Sequence, residues 1–170
     1  KAGDFTKWIE ANLQFIFGVD KSKDNIENWV DGACARYLNH RKTYKNIPSA
    51  IFVPGNSSKN IRNGDAIYDE QYKKITQAIF GQGSKDATKL GKEVVNHYGR
   101  GSDGFDVSSC QFALHYFFEN RLTLENFIQN IIDCTKVNGY FVGTSYDGKK
   151  IFNYLKDKKY NESVSFYNDN

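Results

Sequence analysis

Gln111, Phe112, His115 and Tyr116 stand within one short stretch, Ser108-Ser109-Cys110-Gln111-Phe112-Ala113-Leu114-His115-Tyr116, at the end of an apolar run. A planar nucleobase needs a stacking surface and a few hydrogen-bond partners, and this stretch supplies both. Packing alone also accounts for a histidine and three aromatics (Phe117 follows), so on residue type the two readings stand side by side. Asp20 closes an earlier apolar run, where nucleotide-binding α/β folds hold a ribose diol. Capping the next helix would explain it equally well. Asn56 and Ser57 follow a third run; an amide can pair with an adenine edge, and the same residues also make turns. The fourth polar cluster is Thr144-Ser145-Tyr146-Asp147-Gly148.

These clusters matter because of where the elements would put them. Leu13–Val19 is a short β-rich run ending in Asp20, the profile of a buried parallel strand. Ile26, Trp29, Val30, Ala33 and Tyr37 share one helical face, with Ser22 or Asp24 as cap. Ala50–Val53 reads as a second strand, stopped by Pro54-Gly55-Asn56. A helix is expected over 69–80, then a loop with one helical turn over 81–103. Phe105–Cys110 is a third strand. Leu124, Phe127, Ile128, Ile131 and Ile132 mark a helix capped by Thr123. Asn138-Gly139 turns into a fourth strand at Tyr140–Gly143, before a helix near 148–157 and a last strand near 163–167. Strands alternating with helices at this spacing mean a parallel α/β sheet with right-handed crossovers. Ligands of such sheets sit at the strands' carboxyl ends, where all four polar clusters fall.

Composition sets the class. The 170 residues suit one domain; 39% are hydrophobic and 25% charged, ordinary for a globular protein. The net charge of +3 admits an anionic ligand without arguing for nucleic acid by itself. Cys34, Cys110 and Cys134 are far apart and never in a C-x-x-C pattern, which implies reduced thiols and an intracellular setting. No apolar run approaches the ~20 residues that cross a bilayer. The chain lacks a P-loop, a G-x-S-x-G elbow and an H-E-x-x-H helix, so nucleophilic and metal catalysis find no support. Asp103, Asp106 and Glu119 look like solvated charges.

The segment GFDVSSCQFALHYFFEN, followed by NGYFVGTSYDG, resembles the eukaryotic and viral mRNA cap (guanine-N7) methyltransferases, which run FD-x-x-SCQF-x-x-HY-x-FE and then GGYF-x-GT-x-PD. KAGDFTKW is similar to the end of that family's first motif, GCGKGGDLxKW; FGVDKSKDNI resembles its second-strand motif and FVPGNSSKNI its third. The DGACARYLN helix and the region near 78–101 look more like large DNA viruses than cellular enzymes. The resemblance implies a class I, Rossmann-like methyltransferase core, a parallel sheet with helices on both faces, lacking its first strand. It implies S-adenosylmethionine as methyl donor, no metal, and capped RNA as substrate. Other capping-enzyme domains or a stimulatory subunit are the implied partners. Residue by residue, Gly3 would belong to the glycine loop around the cofactor and Asp20 would hold the ribose hydroxyls. Asn56 and Ser57 would face adenine, with Asn56 where the family often has Asp. Gln111 would lie beside the reactive end. Phe112, His115 and Tyr116 would line the guanine pocket, and Lys1 and Arg36 would approach the cap phosphates. Positioning, and no proton-transferring residue, would carry the reaction.

Three departures qualify the implied function. The chain starts inside the first motif, Tyr146 replaces the family's proline, and the end, SFYND, breaks off within a motif. Residues 1–170 are therefore expected to be a single methyltransferase domain truncated at both ends and catalytically weak alone. A viral parent implies host cytoplasm or virion; a cellular one implies the nucleus. Two alternatives accompany this reading, a methyltransferase with another RNA acceptor and a non-catalytic methyltransferase-like subunit of a capping complex.

Overall fold

The computed structural model describes residues 2–165. The element order is α1 (Phe5–Glu10), β1 (Phe15–Asp20), α2 (Lys23–Glu27), α3 (Ala33–Thr43), β2 (Ser49–Pro54), α4 (Glu70–Ile79), α5 (Ala87–Leu90) and α6 (Lys92–Asn96). It continues with β3 (Phe105–Gln111), a 3₁₀ helix (Leu114–Glu119), α7 (Arg121–Cys134), β4 (Thr135–Thr144) and α8 (Gly148–Leu155). The expected parallel α/β architecture is present, divided into two parallel pairs, β1–β2 and β3–β4. In the first, Phe15 pairs with Ser49 and Asp20 with Pro54; in the second, Ser108 pairs with Phe141 and Gln111 with Thr144.

Helices cover both faces of β1–β2. On one, Phe52 meets Phe5, Ile26 and Ala33, all buried. On the other, Phe15, Phe17 and Ile51 pack on Ala78, Ile79, Leu90 and Val94. Each large apolar side chain withdrawn here contributes about 1.5–3 kcal/mol. Phe105 at the start of β3 joins the pairs, its ring centroid 6.3 Å from both Phe15 and Phe17. The loop leaving β2 meets α7, the helix that follows β3. The carboxyl ends of β1 and β2 thus lie together, as do those of β3 and β4.

Several elements depart from the expected bounds for local reasons. The helical face drawn from Ile26 to Tyr37 is broken at residues 28–32. A Cβ on Gly32 would stand 2.6 Å from the Asn28 carbonyl oxygen and 2.8 Å from that of Ile26, so only glycine lets α2 and α3 approach so closely. Ser22 caps α2, accepting from Asn25 N–H, while Trp29 and Val30 are exposed in the break. Residues 81–103 contain two short helices, the first capped by Asp86. Asn120 caps α7, and Thr123, the expected cap, stands at the third helical position in a reciprocal capping box.

The fourth strand starts at Thr135, five residues earlier than Tyr140. As β3 passes from Phe105 to Val107, its partner runs from Thr135 to Tyr140, with Asn138 left-handed at φ 67° in the bulge. A Cβ on Gly139 would approach the Asp106 carbonyl oxygen to 2.9 Å, which makes glycine necessary there. Of the last expected strand, residues 163–165 are irregular and 166–167 lie outside the described residues. Among the described residues no helix is long and apolar enough to cross a membrane.

The loop after β2 is held by α7 through one buried amide. Asn130, 4% exposed, accepts from Ile61 N–H at 2.9 Å and donates to the carbonyls of Ser57 and Lys59, both at 2.8 Å. Asn126 adds a bond to the Ser58 carbonyl, and Arg62 donates back to the Asp133 carbonyl at 2.8 Å. Leaving such groups unpaired costs about 1–3 kcal/mol each. Asn130→Ala is therefore expected to lower the melting temperature by about 10 °C, read by thermal unfolding. An unchanged melting point would show that water replaces the amide without loss.

Candidate functional site

The site has two halves, each at the carboxyl ends of one strand pair. At the end of β1, the Asp20 carboxylate is half-buried and oriented by its own chain. Its Oδ1 accepts from Ser22 N–H at 2.9 Å, and Asn25 Nδ2 donates to Oδ1 and Oδ2 at 3.2 and 3.1 Å. Asp20 thus orders the turn into α2, whereas the cap of that helix is Ser22 and not Asp20. Gly55 N–H bonds the Asp20 carbonyl at 2.8 Å, which brings Asn56 next to it. Asn56 Oδ1 accepts from Ser58 N–H at 3.0 Å, so this side chain also shapes its turn. Its Nδ2 is left to point toward the Tyr68 hydroxyl, 3.5 Å away. Ser57 is fixed through its carbonyl by Asn130.

The second half grows from β3. Gln111 bridges the strand ends, its Oε1 accepting from Thr144 Oγ1 at 2.8 Å and its Nε2 donating to Ser109 Oγ at 2.9 Å. Phe112 follows with φ 51°, left-handed backbone that a bulky residue adopts at a cost of about 1–3 kcal/mol. Its N–H bonds the Thr144 carbonyl at 2.9 Å, which over-determines the turn. That turn launches the 3₁₀ helix carrying His115 and Tyr116. The His115 ring lies 4.2 Å from Tyr116 and 5.3 Å from Tyr146; Phe112 lies 6.0 Å from Tyr146. Phe112, Tyr116 and Tyr146 are all more than half exposed, so their rings present open faces. Phe117 turns the other way and stacks on Phe127 at 3.9 Å, anchoring the 3₁₀ helix to α7.

The remaining sequence-derived candidates fall outside these halves. Gly3 begins the turn into α1, where an added Cβ meets nothing within 4 Å, so no steric demand explains glycine there. Arg36, on α3, donates from Nε to the Asp31 carbonyl at 3.0 Å and is engaged with the loop at 28–32. Lys1 lies outside the described residues. Asp106 is paired with Lys136 at 2.9 Å, and that hydrogen bond holds its carboxyl below the usual range. Among the described residues no three His, Cys, Asp or Glu side chains are grouped to hold a metal ion. Cys110 and Cys134 are buried thiols; burial, followed by the Asp133 charge, pushes Cys134 up to about 11. Neither behaves as a ready nucleophile at neutral pH.

Two exposed tyrosines beside these halves carry no role in the sequence reading: Tyr146 stands there as part of a polar cluster and in place of the family's proline, and Tyr68 sits in a loop without periodicity.

A model of the mRNA (guanine-N(7))-methyltransferase domain matches residues 1–169. The chain belongs to that family. It is 33% identical over 173 residues to a probable mRNA-capping enzyme of Acanthamoeba polyphaga mimivirus, covering 100% of this chain and 13% of that protein. It is 38% identical over 156 residues to the mRNA cap guanine-N(7) methyltransferase of Drosophila melanogaster, covering 92% of the chain and 29% of the relative. An Arabidopsis thaliana mRNA cap guanine-N(7) methyltransferase is 24% identical over 158 residues, 92% of the chain and 34% of the relative. The chain thus spans well under two thirds of each. A guanine-N7 methyltransferase domain accommodates both halves: one with an oriented carboxylate, the other with aromatic rings around a histidine.

Proposed function

We propose that this domain transfers a methyl group to N7 of an mRNA cap guanine, and the observation that carries the reading is the aromatic cluster on the left-handed Phe112. S-adenosylmethionine, when bound, would supply the sulfonium methyl that guanine N7 takes, with S-adenosylhomocysteine as the leaving group. Asp20 receives the ribose hydroxyls, Asn56 and Ser57 meet adenine, and Gly3 lies beside the amino-acid part of the donor. The donor set supports this fit: an oriented carboxylate at the end of β1 and an amide just past Pro54, the β2 residue that pairs with Asp20. Phe112, His115, Tyr116 and Tyr146 hold the guanine, with Tyr146 as the wall that proline forms elsewhere in the family. Gln111 lines the space between the halves. Lys1 and Arg36 are the cationic candidates for the cap phosphates; Arg36 must leave the Asp31 carbonyl to serve.

Guanine N7 carries a lone pair and no proton, so no residue has to act as a base. What the chain contributes is alignment, and orientation of this kind can supply ~7–11 kcal/mol of a barrier. The two parallel pairs fit one methyltransferase domain over residues 1–170. Capped RNA is the substrate, neighbouring capping domains or a stimulatory subunit are the partners, and the setting is intracellular, in a virus-infected cytoplasm or virion or in a nucleus.

The test follows labelled methyl transfer in the protein extended at both ends, with GpppG-capped and ApppG-capped RNA compared. Transfer to the guanosine cap alone is expected. Transfer to both caps would move the acceptor elsewhere on the RNA. Transfer to neither, with S-adenosylhomocysteine still bound, would favour the non-catalytic subunit.

A further inference from the structure

Tyr68 stands apart from the other exposed aromatics because two polar groups of the loop after β2, Asn56 and Lys59, meet it. Single exposed tyrosines are ordinary and carry no message. Here, however, the Asn56 amide donates toward the hydroxyl at 3.5 Å, and the Lys59 ammonium lies 5.0 Å from the ring centroid. The Asn56 hydrogen bond, with the positive charges of Lys59 and Lys21, draws the hydroxyl below the ordinary tyrosine value. Asn56 itself follows Gly55, whose N–H bonds the Asp20 carbonyl at 2.8 Å, so the hydroxyl lies next to the segment that meets the end of β1.

The ring is exposed, yet its backbone is fixed on both sides. Ala66 and Ile67 are buried with Val53, and Asn56 N–H bonds the Ala66 carbonyl at 2.8 Å. On the other side Asp69 caps α4, accepting from the N–H groups of Gln71 and Tyr72 at 2.9 and 3.0 Å. A flat side chain is thus held at 66% exposure by a segment that is not itself loose. Lys59 takes one side of the ring, which leaves the other for a planar partner.

We propose that Tyr68 forms a wall of the adenosine pocket, its ring face packed against the adenine that Asn56 and Ser57 meet at the edge. This rests on the cofactor half of the proposed function and adds a residue from the loop between β2 and α4. Base–aromatic stacking is sequence-tolerant and substantial, and removing one such ring weakens binding by about 10-fold or more. The hydroxyl contributes through Asn56 only, so the ring and not the oxygen carries most of the effect.

The experiment is calorimetric binding of S-adenosylhomocysteine to the full-length protein and its Tyr68→Ala, Tyr68→Phe and Tyr68→Trp variants, with thermal unfolding of each. Tyr68→Ala is expected to raise Kd about 10-fold or more, with an unchanged melting point, because the side chain adds nothing to the core. Tyr68→Phe and Tyr68→Trp are expected to bind within about twofold of the parent, since both keep a stacking face. Parental affinity in Tyr68→Ala would overturn the proposal while leaving the cofactor reading intact. Loss in Tyr68→Phe equal to that in Tyr68→Ala would also overturn it, assigning the effect to the hydroxyl. Absence of binding by the parent protein would remove the cofactor reading itself, and the proposal with it.

Discussion

His115→Ala is expected to reduce methyl transfer to GpppG-capped RNA by about 100-fold or more, while S-adenosylhomocysteine binding changes less than about twofold. The imidazole is the centre of the aromatic cluster, 4.2 Å from Tyr116 and 5.3 Å from Tyr146. Deleting it removes a stacking face and also lets the two tyrosines reorient, so the guanine loses alignment as well as affinity. A misplacement of about 1 Å is enough for a hundredfold loss when the chemistry is an in-line displacement. The cofactor half hangs on different elements, β1 and β2, and contains no contact with His115 among those described. His115→Phe is expected to restore part of the rate, because a flat ring returns while every proton-transferring capacity stays absent. Steady-state kinetics with both ligands varied separates the effects. Full loss in the phenylalanine variant would mean that an imidazole nitrogen makes a specific bond to the guanine or to its phosphates.

How far such a site can be read without coordinates depends on whether its parts are local. The run from Phe105 to Tyr116 was legible because strand, turn and aromatic cluster follow one another, and the structure joins them as the spacing implied. The nearness of Asp20 to Asn56 was legible because parallel strands put their carboxyl ends together. Other features depend on what meets what from a distance. Nothing local distinguishes the buried Asn130 from the exposed amide of Gln129 beside it on α7, yet it is the one that fixes the loop at Ser57. The apolar spacing from Ile26 to Tyr37 reads as one helix because periodicity cannot register that Gly32 packs against the Asn28 backbone. Trp29, counted on a buried face, is 97% exposed for that reason. The cap of α7 was within reach: Asn120 stands three residues before Thr123, the spacing of a capping box. The division of the strands into two pairs was not, since alternation of strands and helices leaves strand order open.

Asp20→Ala is expected to do the reverse of His115→Ala, raising the Kd for S-adenosylhomocysteine about 10- to 100-fold while leaving cap binding near its parental value. Hydrogen bonds to a charged acceptor are worth about 1.5–3 kcal/mol, which corresponds to that range. The structure complicates the reading of this variant in a useful way. Asp20 also orders its own turn, through Ser22 N–H and the Asn25 amide, so alanine removes an acceptor and loosens the start of α2 together. Asn25→Ala separates the two: it removes one partner of the carboxylate without deleting the acceptor and is expected to weaken binding only a few-fold. Asp20→Asn adds the converse, keeping an oxygen for Ser22 N–H while losing the charge and facing the Asn25 amide with another amide. If ribose recognition is the main role, Asp20→Asn falls close to alanine and Asn25→Ala stays close to the parent. If the residue serves only its turn, Asn25→Ala falls with Asp20→Ala, and Asp20→Asn, which keeps the Ser22 bond, binds better than either.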